Sequence, residues 1–183
     1  DQRLSLVAGA GVRTTPEPTP ARHLTPDPET FPMRTLLLAL LALASPVLAD
    51  SASDAIKRKD GTAAAASFED AVRVNIRPEM RAELAPIVAA IRHAENGRAG
   101  REYGILHPKA LGKSYRTQAG WCAATVQKHY DRWTKAGSRG DFLESLARRY
   151  CPVGAGNDPT GLNRHWLKNV RHWRDRIVKQ EMK

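Results

Sequence analysis

Pro86-Ile-Val-Ala-Ala-Ile-Arg-His-Ala-Glu-Asn-Gly-Arg-Ala-Gly-Arg-Glu-Tyr-Gly-Ile105 joins the most regular helical pattern in the chain to its most glycine-rich segment. A step of about 100° per residue puts Leu84, Ile87, Val88 and Ile91 on one face, and Glu95 follows Ile91 by four residues on that same face. Pro86 suits a first helical position, where the missing N–H is unpaired anyway. Asn96-Gly97 suits a stop, because glycine tolerates the left-handed conformation that closes many helices. A carboxylate that ends an apolar stripe is held partly dry, and burial raises a carboxyl pKa toward the range a general acid needs. The competing reading is an ordinary charge that curls to water or pairs with Arg92, Arg98 or Arg101.

Downstream of Glu95, Gly97, Gly100, Gly104, Gly112 and Gly120 recur with Tyr103, Ile105, Leu106 and Tyr115 between them. That spacing predicts loops with at most two or three short strands, the one plausible β region of the sequence. Helical periodicity resumes over Ala119–Lys135, where Trp121, Cys122, Thr125, Val126, His129, Tyr130 and Trp133 share a wide face. His129 there reads as a packed core residue. Gly137-Ser-Arg-Gly140 breaks the pattern. Asp141 then caps a helix with Phe142, Leu143, Leu146 and Tyr150 inward, ending at Cys151-Pro152. After a turn-rich loop through Asn157-Asp-Pro-Thr-Gly161, a last helix carries Leu162, Trp166, Val170, Trp173 and Ile177 on one side. Arg164, Lys168, Arg171, Arg174, Arg176 and Lys179 cover its other faces, a solvated basic surface. Its tryptophans read as core.

Upstream, Met33-Arg34, the apolar run Thr35–Leu43 and the small residues Val47 and Ala49 fit a signal peptide over 33–49. The run is shorter than the roughly 20 apolar residues a membrane span needs, so no stable span is expected after cleavage. Residues 1–32 are rich in proline and poor in apolar side chains; they are expected to be disordered and not native coding sequence, with Met33 as the start. Residues 50–77 read as an N-terminal extension or short helix using Phe68, Val72 and Ile76, begun by a capping box at Ser67-Phe-Glu-Asp70.

Arg3, Arg13, Arg22 and Arg34 cancel Asp1, Glu17, Asp27 and Glu29, so the net charge of +10 belongs entirely to residues 50–183. Such a domain is drawn to polyanions: a cell wall, an anionic lipid surface or nucleic acid. No nucleic-acid-binding motif accompanies the charge, so no specific nucleic acid is expected. P-loop, GxGxxG and GxSxG elements are absent from the sequence, no HExxH occurs among the histidines, and two cysteines do not make a zinc set; neither a cofactor nor a metal is implied. In an exported chain, Cys122 and Cys151 suggest one disulfide. It would close a loop of about 30 residues and contribute roughly 3–4 kcal/mol.

Taken together, Ile91-Arg-His-Ala-Glu-Asn-Gly97, Tyr103-Gly-Ile-Leu106, the Trp121–Trp133 helix and the Asp158-Pro-Thr-Gly-Leu-Asn163 helix start resemble the lysozyme-like superfamily of glycan-cleaving enzymes. The resemblance covers about Pro78 to Ile177 and makes 78–183 the expected lysozyme-like domain, mainly α with a small β/loop region. It implies an exported monomer that cleaves the β-1,4 links of peptidoglycan or a related amino-sugar polymer, with Glu95 as general acid. The Glu-Ser-Gly…Gly-Leu-Met-Gln pattern of soluble lytic transglycosylases is absent; only Glu95-Asn-Gly97 and Tyr103-Gly-Ile105 are similar to it. Tyr103, Gln118 and Asn157 are candidates to bind sugar hydroxyls or acetamides, each with a loop-stabilising role as the alternative. Glycosidases generally pair two carboxylates. Asp131, Asp141 and Asp158 are available, although they read as a solvated face, a helix cap and a turn. The alternatives are a non-catalytic wall-binding protein on the same fold and an exported basic protein that binds polyanions.

Overall fold

The computed structural model describes residues 49–95, 97–156, 158 and 160–182, which are mainly helical and contain no strand. Residues 1–48, including the expected disordered segment and nearly all of the expected signal peptide, lie outside the described residues, as does Asn157.

Residues 49–60 form α1, and Gly61, at φ +90°, turns the chain into α2 (Thr62–Asn75). The capping box expected at Ser67 does not start this helix. The alanine run 63–66, the strongest helix-forming residue in series, carries the helix back to Thr62 and leaves Ser67 in its interior. Phe68, Val72 and Ile76 are buried as their spacing predicts. Ala52, Ala55 and Ile56 of α1 are fully buried in the same core, so the segment expected as an extension is two helices integral to the packing.

A 3₁₀ turn at Pro78–Met80 leads into α3 (Arg81–Ala94). Pro78, not Pro86, takes the helix-start position; Pro86 lies inside α3. Leu84, Ile87, Val88 and Ile91 are buried as expected, and so are Ala85, Ala89 and Ala90. Small side chains on its remaining faces let α2, α4 and α6 all pack around α3, which makes it the central helix.

The expected β region is absent among the described residues. Glycines at positive φ (Gly100, Gly104, Gly112) interrupt any extended run before a ladder can grow. The loop is instead pinned by individual bonds. Gly112 N–H donates to the Gly100 carbonyl at 2.9 Å, and buried Glu102 accepts from Gly100 N–H at 3.0 Å. Tyr103 is driven into the core.

Helix α4 (Tyr115–Lys135) starts four residues before the periodicity does, because Ser114 caps it by accepting from Thr117 N–H. Helix α5 (Phe142–Tyr150) is capped by Asp141, which accepts from Glu144 N–H at 2.8 Å. A 3₁₀ turn at Leu162–His165 precedes α6 (Trp166–Val178), which buries Trp166, Val170 and Ile177 against α3 and leaves Leu162 exposed. No helix among the described residues is long and apolar enough to cross a membrane.

Candidate active site

Glu95 sits where α3 ends. It is the C-cap residue, in extended conformation, and its N–H closes the last turn on the Ile91 carbonyl at 2.9 Å. The chain therefore leaves the helix at Glu95 itself rather than through a left-handed glycine. Gly97 is required for a different reason than expected: a Cβ there would lie 1.7 Å from the Arg101 carbonyl oxygen. The Glu95 carbonyl, one of the acceptors a helix end leaves unpaired, is taken by Arg92 at 3.1 Å. Arg92 is in turn gripped by both oxygens of Asp60, at 2.7 and 2.8 Å, with side chains 8% and 15% exposed. Tyr115 donates to the same Asp60 carboxylate at 2.9 Å. The last residue of α1 thus fixes the backbone of the site through a buried ion pair.

Other elements hold the side chain. Trp166, the first residue of α6 and 6% exposed, donates its indole N–H to Glu95 Oε1 at 3.0 Å. Opposite, the backbone of Gly104 lies against the carboxyl group: a Cβ at that position would stand 2.6 Å from its carbon and from Oε2. Burial raises the Glu95 pKa above the ordinary carboxylate value, while the Trp166 N–H and the Arg92 charge pull it partly back. The result is a carboxyl group that holds its proton more tightly than a free glutamate does, yet has one donor ready for the anion.

That group opens onto a cavity of about 560 Å³ lined by Ala94, Glu95, Cys151, Leu162, Asn163, His165, Trp166, Lys168 and Asn169. A second cavity, about 380 Å³, is lined by Gly104, Ile105, Leu106, Thr125, Arg149 and Tyr150. Gly104, in the lining of the second, lies against the Glu95 carboxyl group, and Tyr150 and Cys151, one in each lining, are consecutive, so both cavities are close to the acid. Leu162 in one and Leu106 in the other are exposed apolar side chains. Comparison with protein-family models, with curated proteins and with solved structures finds no match to this chain.

The other residues singled out in the sequence are placed differently from Glu95. Gln118 is fully buried and donates to the carbonyls of Gly100 and Ala110, at 2.8 Å to the first, which is the loop-stabilising role. Tyr103 is also fully buried; its hydroxyl donates to Tyr115 at 3.3 Å and its carbonyl accepts from Tyr150 at 2.6 Å. Neither residue lines either cavity, and at 0% exposure neither is placed to contact a sugar. The expected disulfide is not formed: Cys122 and Cys151 are free thiols. Cys122 points from α4 into the core beside the Tyr150 hydroxyl, and burial lifts it to about 12. Cys151 lines the cavity next to Glu95, and burial with the Glu95 and Asp158 carboxylates pushes it up to about 11.

Among the acids proposed as partners, Asp131 is paired with Arg77 at 3.0 Å and Asp141 with Arg171 at 3.0 Å, both on other faces. Asp158 is the one that shares a neighbour, Cys151, with Glu95; its Oδ2 accepts from Asn163 N–H at 3.3 Å. No cluster of three His, Cys, Asp or Glu side chains suited to a metal ion occurs among the described residues.

Sequence reasoning missed Trp166, Gly104 and Asp60 as parts of this site. Trp166 was readable as core, which it also is: it stacks on Tyr150 with ring centres 5.3 Å apart. The available signal was only that a buried indole N–H needs an acceptor.

Proposed function

We propose that this chain is an exported glycosidase that cleaves the β-1,4 glycan backbone of peptidoglycan or a related amino-sugar polymer, with Glu95 as general acid. The observation that carries the reading is the Glu95 carboxyl: burial favours its protonated form, it opens into a cavity, and one indole N–H contacts it. Protonation of the glycosidic oxygen by Glu95 leaves a carboxylate. A donor bonds an anion more strongly than a neutral acid, so the Trp166 bond strengthens as the proton departs.

Asp131 and Asp141 are engaged elsewhere, which leaves Asp158 or the sugar's own acetamido group to act opposite Glu95. The first gives a hydrolase. The second gives a lytic transglycosylase, for which no hydrolytic water is needed. The basic surface favours approach to an anionic wall, and the apolar run before Ala49 supports export.

Clearing of purified peptidoglycan suspensions by the full chain and by Glu95→Gln tests the proposal. The wild type is expected to clear and the variant to lose at least about 100-fold in rate, the contribution typical of a general acid. Equal clearing by both removes Glu95 from the mechanism. Binding without clearing by either moves the assignment to the wall-binding reading. Mass analysis of the products separates reducing ends from anhydro ends, and so hydrolysis from transglycosylation.

A further inference from the structure

A depression of about 460 Å³ on the face formed by α4 and α5 is lined by His129 and Arg132 from the first helix and Ser145, Arg148 and Arg149 from the second. The spacing explains the convergence. His129 and Arg132 are three apart on α4, while Ser145, Arg148 and Arg149 are three and four apart on α5, so each set shares a helix face. A bond of 3.0 Å between His129 Nε2 and Ser145 Oγ locks the two faces together.

The electrostatics of this patch are one-sided. None of the three guanidinium groups has a carboxylate within ion-pair distance among the described residues. Burial first, and then all three of these charges, hold the His129 imidazole pKa below the usual histidine value. His129 Nδ1 is buried with no hydrogen-bond partner. Basic side chains near a helix C-terminus are ordinary one at a time, because they complement the helix dipole. Three that line one depression with no carboxylate in ion-pair range are uncompensated charge.

We infer that this depression is an oxyanion-binding site for a phosphate group, held by Arg132, Arg148 and Arg149 with Ser145 and His129 at its floor. Guanidinium forks match phosphate oxygens in pairs, and a dianion neutralises three converging cations better than a carboxylate does. The site is independent of the Glu95 chemistry. It does adjoin the cleft, since Arg149 also lines the cavity beside Gly104.

The test is a titration of the full chain with inorganic phosphate at constant ionic strength, following the His129 ring resonances by NMR. A saturable shift is expected, weakened at least about tenfold by acetate in place of phosphate and by the double change Arg148→Gln and Arg149→Gln, each of which removes a charge-assisted bond. Both arginines are exposed, so these variants keep the core intact. Lys109→Gln with Lys113→Gln removes the same charge from an exposed loop and is expected to leave the shift unchanged. A linear, unsaturated shift in the wild type overturns the site, as does an equal response to acetate or equal weakening by the lysine pair. Sedimentation with phosphatidylcholine vesicles, with and without phosphatidic acid, then identifies the source of the phosphate. Retention that requires phosphatidic acid and is lost in the arginine variant assigns a lipid headgroup. Saturation by free phosphate without such retention assigns a soluble phosphate.

Discussion

Replacing Trp166 by Phe removes one N–H and keeps most of the ring, so it isolates the bond at 3.0 Å to Glu95 Oε1. A hydrogen bond to an ionised partner contributes about 1.5–3 kcal/mol and one between neutral groups about 0.5–1.5 kcal/mol, so the donor favours the Glu95 anion by about 1 kcal/mol. That corresponds to a roughly fivefold decrease in the acid dissociation constant when the donor is lost. Glu95 in Trp166→Phe is therefore expected to titrate at higher pH than in the wild type, because burial is retained while an opposing influence is gone. The side-chain carboxyl resonance followed against pH reads this directly, without assuming any activity. If the chain is the proposed glycosidase, the alkaline limb of its clearing rate shifts the same way. The smaller ring also leaves a gap against Tyr150, for a stability loss of about 1–3 kcal/mol that urea unfolding measures. A carboxyl titration in the variant at the same pH as the wild type, or lower, would refute the assignment of this donor to the anion.

Glu95→Gln is expected to match or exceed the wild type in stability at pH 7. A carboxyl whose folded pKa is raised contributes its full stability below the unfolded value of 4.5 and loses it as pH rises through the folded value. Unfolding midpoints of the two proteins at pH 4 and pH 7 check this; an advantage for Gln at pH 4 that vanishes at pH 7 would contradict it. Gly104→Ala places a methyl 2.6 Å from the Glu95 carboxyl carbon at a φ of +67°, so the carboxylate must leave Trp166. If the chain is the proposed glycosidase, its clearing rate is expected to fall by more than tenfold for a stability loss of about 1 kcal/mol read by urea unfolding. Arg92→Met strands Asp60 in a mostly buried pair and is expected to cost about 3–5 kcal/mol, with Asp60→Asn added to it recovering part of the loss in a double-mutant cycle.

The helices were legible where periodicity was strong. Leu84, Ile87, Val88 and Ile91 announced α3, and Asp141 announced the start of α5, because both signals are local. The start of α2 was misplaced because Ser67 looked like a cap while the alanines before it carried the stronger propensity. In the Gly-rich loop, the β preference of the aromatic residues points to short strands that do not form. What holds the loop is Gln118, a residue 18 positions beyond Gly100, whose bonds no local pattern displays. For the cysteines, compartment and even count suggested pairing, but pairing depends on where the two thiols point, and Cys122 faces the core while Cys151 faces the cavity.

Of the site itself, the sequence disclosed the position of the acid and not its environment. Glu95 was identifiable because the α3 stripe runs into it. Asp60 lies 35 positions before it and Trp166 lies 71 positions after it, so neither leaves a mark in the surrounding pattern. Their work is divided: Asp60, through Arg92, fixes the backbone from which the carboxyl projects, while Trp166 and Gly104 fix the carboxyl itself. This division makes the two contributions separable. Loss of the ion pair should lower stability first, whereas loss of the indole N–H should alter the Glu95 proton equilibrium even in a protein that remains folded. A carboxyl serving only to cap a helix would need no such side-chain support, because the cap at Glu95 is made by its backbone.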